Sequence, residues 1–277
     1  MRRISFTSVV GAVVLMLLYL PIGVVFINSF NADESLTEWG GFTLEWFSDA
    51  VQNERLVRDF RLSVAVAVLA TLIALVIAVC TGLATRHMAP RGRAWVDLST
   101  LVRIILPEVV IAVGLFLLMH ELDIPLGFGA IVVGHVVFLS AYATVIVQAR
   151  FASMTNVLEE AASDLGATPR RAFMRVTLPG LLPALVVAGL LCFTFSFDDV
   201  VTSMFLGGPS AETLPVLILG LVRIEVSPLV NAVAVLVMVI NIVTLAVLVL
   251  SSGVRAAMGS AERPQSTVST DDEELTK

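Results

Sequence analysis

The chain has 277 residues, of which 57% are apolar and only 14% charged, with a net charge of −6 and a mean hydropathy of +0.95. A soluble domain is about half apolar and a quarter charged, so too little polar surface remains here to cover a water-soluble globule. Much of the negative charge lies near the C-terminus (Glu262, Asp271, Asp272, Glu273, Glu274), so the charge balance gives no argument for nucleic acid as a partner.

A bilayer crossing needs about 20 mostly apolar residues. The first such run, 9–27, follows Arg2 and Arg3. It is too long for a signal core and no small-x-small cleavage site follows it, so it is expected to remain as a first helix. Residues 28–60 form a long loop with Trp39, Phe42, Trp46 and Phe47, aromatics that suit a membrane interface or a partner contact. Further spans are predicted at 62–84, 98–119, 129–147, 181–206 and 230–250. The third and fifth are weak because each contains acids. Between the fifth and sixth, Gly207-Gly208-Pro209 and Ser227-Pro228 are turn signals around a short apolar helix at 214–223. From residue 259 the chain is polar and acidic, a composition that favours disorder. The expectation is an all-α membrane protein with six transmembrane helices: one transmembrane domain at 1–258, and a cytoplasmic acidic tail at 259–277. No internal repeat is visible.

Six crossings put both ends on one side. That side holds Arg2, Arg3, Arg86, Arg91, Arg93, Arg150, Arg170, Arg171, Arg175 and Arg255; the other holds Arg55, Arg58, Arg61 and Arg223. The positive-inside rule then places both termini, and the loop 150–178, in the cytoplasm.

That loop contains NVLEEAASDLGATPRRAFMRVTLPGLLP, from Asn156 to Pro183. Asn156 is placed to cap a helix, with Glu159 three residues on reaching back to it. Glu159 and Glu160 suit the positive end of the helix dipole. Ala161 and Ala162 are strong helix formers whose small side chains let another backbone come close. Gly166 is placed to stop the helix in a left-handed conformation. Thr168-Pro169 then opens a second helix, Thr as cap and Pro at the first position, and Leu178-Pro179 ends it. Two readings follow: an amphipathic hairpin lying on lipid headgroups, or a rigid peg for a motor subunit.

Ionisable groups inside a bilayer are costly and mark a pathway or a paired site. Glu108 lies within the third span, Asp198 and Asp199 toward the outer part of the fifth. Glu108 either pairs with Arg103 or lines a path. Adjacent helical positions point about 100° apart, so one Asp can face a pore while the other caps a helix or meets a neighbour. His120 and His135 read as structural, the first near an outer edge and the second in a helix interface. No His–carboxylate spacing suggests a metal site. Cys80 and Cys192 read as small core residues.

Glu160-Ala161-Ala162, Gly166 and Leu178-Pro179 resemble the EAA loop of ABC-transporter permeases. Ser196-Phe197-Asp198-Asp199-Val200-Val201, Gly207-Gly208-Pro209, Thr213-Leu214-Pro215, Val222-Arg223, Ser227-Pro228 and Asn231-Ala232 are similar to the second-permease (C-type) branch of the spermidine/putrescine family of binding-protein-dependent importers. The run Gly41-Phe42-Thr43-Leu44-Glu45-Trp46-Phe47 is similar too. The resemblance implies the six-helix type I ABC importer permease fold in a bacterial cytoplasmic membrane. It also implies a complex with a second homologous permease, an ATP-binding cassette ATPase dimer and an extracellular or periplasmic substrate-binding protein. Glu159, Glu160, Ala161, Ala162, Gly166, Leu178 and Pro179 would couple to the ATPase; Asp198, Asp199 and Glu108 would line the route of a polyamine or similar small cation. No catalytic residue, metal or cofactor is expected in this chain, ATP and Mg being bound by the ATPase: Gly-x-x-x-x-Gly-Lys-Ser/Thr is absent, and the one lysine is Lys277. The alternatives are another cargo (an amino-acid-like compound, an opine, an anion or a metal chelate), a gradient-driven secondary transporter, or a membrane scaffold.

Overall fold

The computed structural model describes residues 6–34, 38–155, 157–224 and 226–250. The cap expected at Asn156 and the acidic tail 259–277 lie outside the described residues. Helix α1 (Phe6–Asn28) packs against the last helix and leaves Val13, Leu17, Leu20 and Ile27 exposed, as a lipid-facing rod does.

The predicted loop 28–60 has its own architecture. Asn31 is buried; its side-chain amide donates to the Glu38 carbonyl at 2.7 Å, and its Oδ1 accepts from the Gly40 amide at 2.8 Å. The Trp46 indole donates to the Asn31 carbonyl at 2.7 Å, and the rings of Phe30 and Phe42 stack at 5.1 Å. Trp46 is therefore part of the loop's own fold, while Trp39 and Phe42 stay exposed. Helix α2 (Glu45–Gln52) and the start of α3 (Glu54–His87) complete the segment. The helix that holds the second predicted span thus begins well before residue 62. Asn53 caps α3 by accepting from the amides of Arg55 and Leu56. At about 1.5 Å per residue, α3 is roughly 50 Å long against a hydrocarbon core of about 30 Å. Its polar ends therefore project beyond the bilayer.

The third predicted span, 98–119, is not one rod. Helix α4 (Pro90–Ile105) and helix α5 (Glu108–Glu121) meet at an angle of 103°. Pro107 lacks an N–H and forces Leu106 into extended backbone (ψ 133°). Helix α6 (Phe128–Ser153) follows, then α7 (Val157–Asp164) and α8 (Pro169–Ala172). A π-helical turn, Phe173–Thr177, joins α8 to α9 (Leu178–Phe197). Leu178-Pro179 does not end the second short helix as expected: the helical path is continuous from Pro169 to Phe197. The wide turn, in which the Leu178 amide donates to the Phe173 carbonyl, makes room for a proline that a regular helix interior would not accept.

The fifth span also differs. It stops at Phe197, and after a break at 198–200 the chain resumes as the short α10 (Val201–Leu206). The predicted short apolar helix is α11 (Leu214–Ile224), and the chain's last described helix is α12 (Pro228–Leu250). Among the described residues four helices are long and apolar enough to cross a membrane, and the bent α4–α5 pair makes a fifth. The fully described part of α12, Pro228–Val243, falls short of a crossing by itself, and the helix runs on to Leu250.

The core is the α3–α6–α9 packing. Helix α3 buries Val66, Ala70, Ala74 and Ala78 completely, against Leu139, Ala143 and Val147 of α6 and Leu181, Ala188 and Cys192 of α9. Small side chains let backbones approach, which is how helices associate where no water drives them together. Gly82 shows how close: a Cβ there would lie 2.7 Å from the Phe151 ring. Cys192 is a core residue as predicted, whereas Cys80 faces outward.

Two ion pairs sort the loops by end. Arg86 at the end of α3 meets Glu159 of α7 at 3.0 Å, and Arg55 at the start of α3 meets Glu212 at 2.8 Å. The loop after α3 and the 157–177 segment therefore share one end of the bundle, and the loops before α3 and α11 share the other.

Candidate functional site

At the first of these ends α7 lies outside the core. Its termination follows the Schellman pattern: the Ala167 amide donates to the Ala162 carbonyl at 3.0 Å and the Gly166 amide to the Ser163 carbonyl at 2.9 Å. Gly166 has φ +79°, the left-handed conformation in which a side chain is strained. Thr168 occupies the cap position of α8 in extended backbone, but its hydroxyl makes no capping bond.

The two adjacent glutamates divide. Glu160 is exposed, as is Ala161, while Ala162 is half-buried. Glu159 turns inward: its Oε1 accepts from the Thr177 hydroxyl at 2.6 Å and from Arg86 Nη1 at 3.0 Å. Burial pushes the Glu159 carboxyl up, but the bonds from Thr177 and Arg86, with the charges of Arg86 and His87, outweigh this and hold it below the ordinary glutamate range. Arg86 also sits over the Phe151 ring at 5.1 Å. Leu178 is half-buried beneath this cluster and Pro179 exposed. The apolar side chains of Val157 and Leu158 in α7 and of Leu165 just after it point outward, 64%, 66% and 89% exposed.

A second constellation forms where the chain breaks twice. The α4–α5 break brings Glu108 to the start of α5, and the α9–α10 break brings Asp198 and Asp199 to the same place. The two breaks are tied by the Thr202 hydroxyl, which donates to Glu108 Oε1 at 3.1 Å. Together they line a cavity of ≈ 590 Å³ with Arg103, Tyr142 and Phe195. Close approach of α10 to α6 needs Gly134, where a Cβ would lie 2.5 Å from Leu206 and Thr202 side-chain atoms.

The aspartates diverge, as adjacent positions can. Asp199 is buried and accepts from the Ser203 amide at 2.9 Å and the Thr202 amide at 3.4 Å, so it caps α10. The cap lies at the break after Phe197. Asp198 is exposed and accepts from Asn241 Nδ2 of α12 at 3.1 Å. Glu108 is not paired with Arg103: the Arg103 Nη1 donates to Ser140 Oγ at 2.7 Å and to the Val137 carbonyl at 3.1 Å.

His135 lies in a helix interface, with partners that the sequence does not show. It is fully buried on α6, with Nε2 3.2 Å from Asp199 Oδ1 and 3.3 Å from Ser203 Oγ, and with Nδ1 bonded to Ser196 Oγ. An ionised Asp199 accepts from Nε2–H, leaving Nδ1 to accept from the Ser196 hydroxyl. The spacing of 64 residues between histidine and acid carries no local signal; only the packing of α6 on α9 brings them together. His120 is exposed and stacks on Phe116 at 6.5 Å.

A bundle of apolar helices with a short helix outside the core at one end and acids at two internal breaks fits a membrane transport subunit. Residues 83–252 match the family described as the binding-protein-dependent transport system inner membrane component, and the chain belongs to that family, the ABC importer permeases. It is 35% identical over 226 residues to the spermidine/putrescine transport system permease protein PotC of Escherichia coli K12, covering 82% of this chain and 86% of that protein. To PotC of Haemophilus influenzae Rd it is 36% identical over 251 residues, covering 91% and 96%. To the putrescine transport system permease protein PotI of E. coli K12 it is 33% identical over 231 residues, covering 80% and 81%. Among solved structures, a bacterial ABC transporter that imports the acidic polysaccharide alginate superposes with a TM-score of 0.70 at 17% identity, covering 89% of this chain and 96% of that one. The MetNI methionine ABC transporter superposes with a TM-score of 0.59 at 20% identity, covering 74% and 95%. These two establish the type I permease fold.

Proposed function

We propose that this chain is the permease subunit of an ATP-driven importer of a polyamine or similar small organic cation. It works with an ATP-binding cassette ATPase dimer, a second homologous permease and an extracellular or periplasmic binding protein, with both termini in the cytoplasm. The observation that carries this reading is α7, a helix outside the core with Val157 and Leu158 in the open, Leu165 open just beyond its end, and a left-handed stop at Gly166. Such a surface fits the groove of a motor protein. ATP and Mg belong to that motor. Closure of the motor dimer moves α7, the bundle opens outward to receive substrate, and hydrolysis resets it.

The cargo assignment draws on the relatives named for spermidine and putrescine and on Glu108 and Asp198 facing one cavity. Two carboxylates at separate positions suit a cation with separated amines. The test is ATP-dependent uptake of labelled putrescine and spermidine by the reconstituted complex. A second reading has one observation in its favour: the Arg103 guanidinium lines the same cavity, which suits an amino-acid-like or opine cargo carrying a carboxylate. Under that reading Arg103→Gln removes more uptake than Asp198→Asn does.

A further inference from the structure

We infer that Arg86, Glu159 and Thr177 form a mechanical joint that carries displacement of α7 into the transmembrane bundle. The inference rests on the docking of α7 proposed above and concerns what happens after docking. One carboxylate oxygen, Glu159 Oε1, holds the ends of two other elements, at 3.0 Å to Arg86 of α3 and at 2.6 Å to Thr177 before α9. Hydrogen bonds to a charged group are the strong ones. The Arg86 guanidinium extends the joint to α6 by covering the Phe151 ring at 5.1 Å, and Arg150 Nε of α6 donates to the Gly180 carbonyl of α9 at 2.9 Å. All three core helices are thus gripped at the end where α7 lies.

The placement of the joint along the chain gives it leverage. Thr177 closes the π turn, and π turns are local departures that mark functional positions in helices. Beyond it, α9 is one continuous helix of 20 residues with Pro183 in its second turn, about 30 Å long, whose far end is the break holding Asp198 and Asp199. A tug on Thr177 therefore reaches the acids of the cavity through one helix. The two neighbouring glutamates have different work: Glu160 faces outward to the motor, and Glu159 faces inward to the bundle.

The test uses the whole transporter, purified through a tag on this chain and reconstituted in proteoliposomes with its binding protein. Two quantities are read: the amount of ATPase that co-purifies, and putrescine imported per ATP hydrolysed. Arg86→Gln, Glu159→Gln and Thr177→Val are expected to retain the ATPase but to lower the import ratio by about tenfold, the scale of losing one charge-assisted bond. Thr177→Ser, which keeps the hydroxyl, is expected to restore the ratio, whereas a side chain that merely fills space would be served equally by Val. Retained ATPase with an unchanged import ratio in Thr177→Val and Glu159→Gln overturns the joint. Loss of the ATPase from those variants also overturns it, since Glu159 would then be a docking group. If the unsubstituted complex itself holds no ATPase, or no import of putrescine depends on ATP, the functional reading fails instead, and the two failures are distinct.

Discussion

Asp199 Oδ1 lies 3.2 Å from His135 Nε2, deep between α6 and the break that follows α9. The same carboxylate caps α10 through the amides of Thr202 and Ser203. A single acid thus fixes where the broken helix restarts and anchors that restart to the core. Asp198 is left free of this duty and faces the open side.

Removing either partner of the His135–Asp199 pair leaves a buried polar or charged group uncompensated. His135→Ala and Asp199→Asn are each expected to cost about 3–5 kcal/mol, and to lower the melting temperature of the purified complex along with its uptake. Ser196→Ala leaves the buried Nδ1 of His135 without its hydroxyl partner and costs about 1–3 kcal/mol.

Asp198→Asn and Glu108→Gln act on the path instead. Asp198 is exposed, so its substitution changes stability by no more than about 0.5 kcal/mol. Uptake of a dication by the reconstituted complex should fall for both variants while the melting temperature holds. Unchanged initial rates would remove Glu108 and Asp198 from the route.

At Gly166, φ is +79°. Gly166→Ala forces a side chain into the left-handed region at about 1–2 kcal/mol, so the α7 terminus frays, which hydrogen exchange at Ala167 would report. Gly166→Asp adds bulk and charge at the exposed tip. It is expected to leave the chain in the membrane and to abolish ATP-dependent uptake, as is Glu160→Lys.

The Glu159 tether has a defined pH window. Its carboxyl titrates below the ordinary 4.5 when folded, so the tether's stabilisation is complete above about pH 4.5 and is lost as pH falls through the lowered value. The difference in melting temperature between the native chain and Glu159→Gln should be constant from pH 8 to about pH 5 and close below about pH 4.5. A difference that grows on acidification would contradict this.

Much of this was legible in the sequence because the signals are local. Gly166, Ala161-Ala162 and the apolar runs each act through their immediate neighbours, so the left-handed stop and the long rods follow from the residues at hand. Pro107 was visible as well, but a proline permits either a kink or a full break, and the 103° turn comes from how α5 packs on α10. The acids were found as costly groups in apolar runs. Their partners were not, since His135–Asp199 and Glu108–Thr202 are joined across 64 and 94 residues. The inward partners of Glu159 were hidden for the same reason: Arg86 lies 73 residues away and Thr177 lies 18.

The most direct test of the account is cross-linking. Single cysteines at Leu158, Ala161 and Leu165 of a cysteine-free chain would be treated with a short bifunctional maleimide in membranes that also hold the ATPase. The account predicts that each captures the ATPase and that ATP changes the yield. Capture of no ATPase at any of the three, or labelling of these cysteines by an impermeant reagent added outside intact cells, would contradict it.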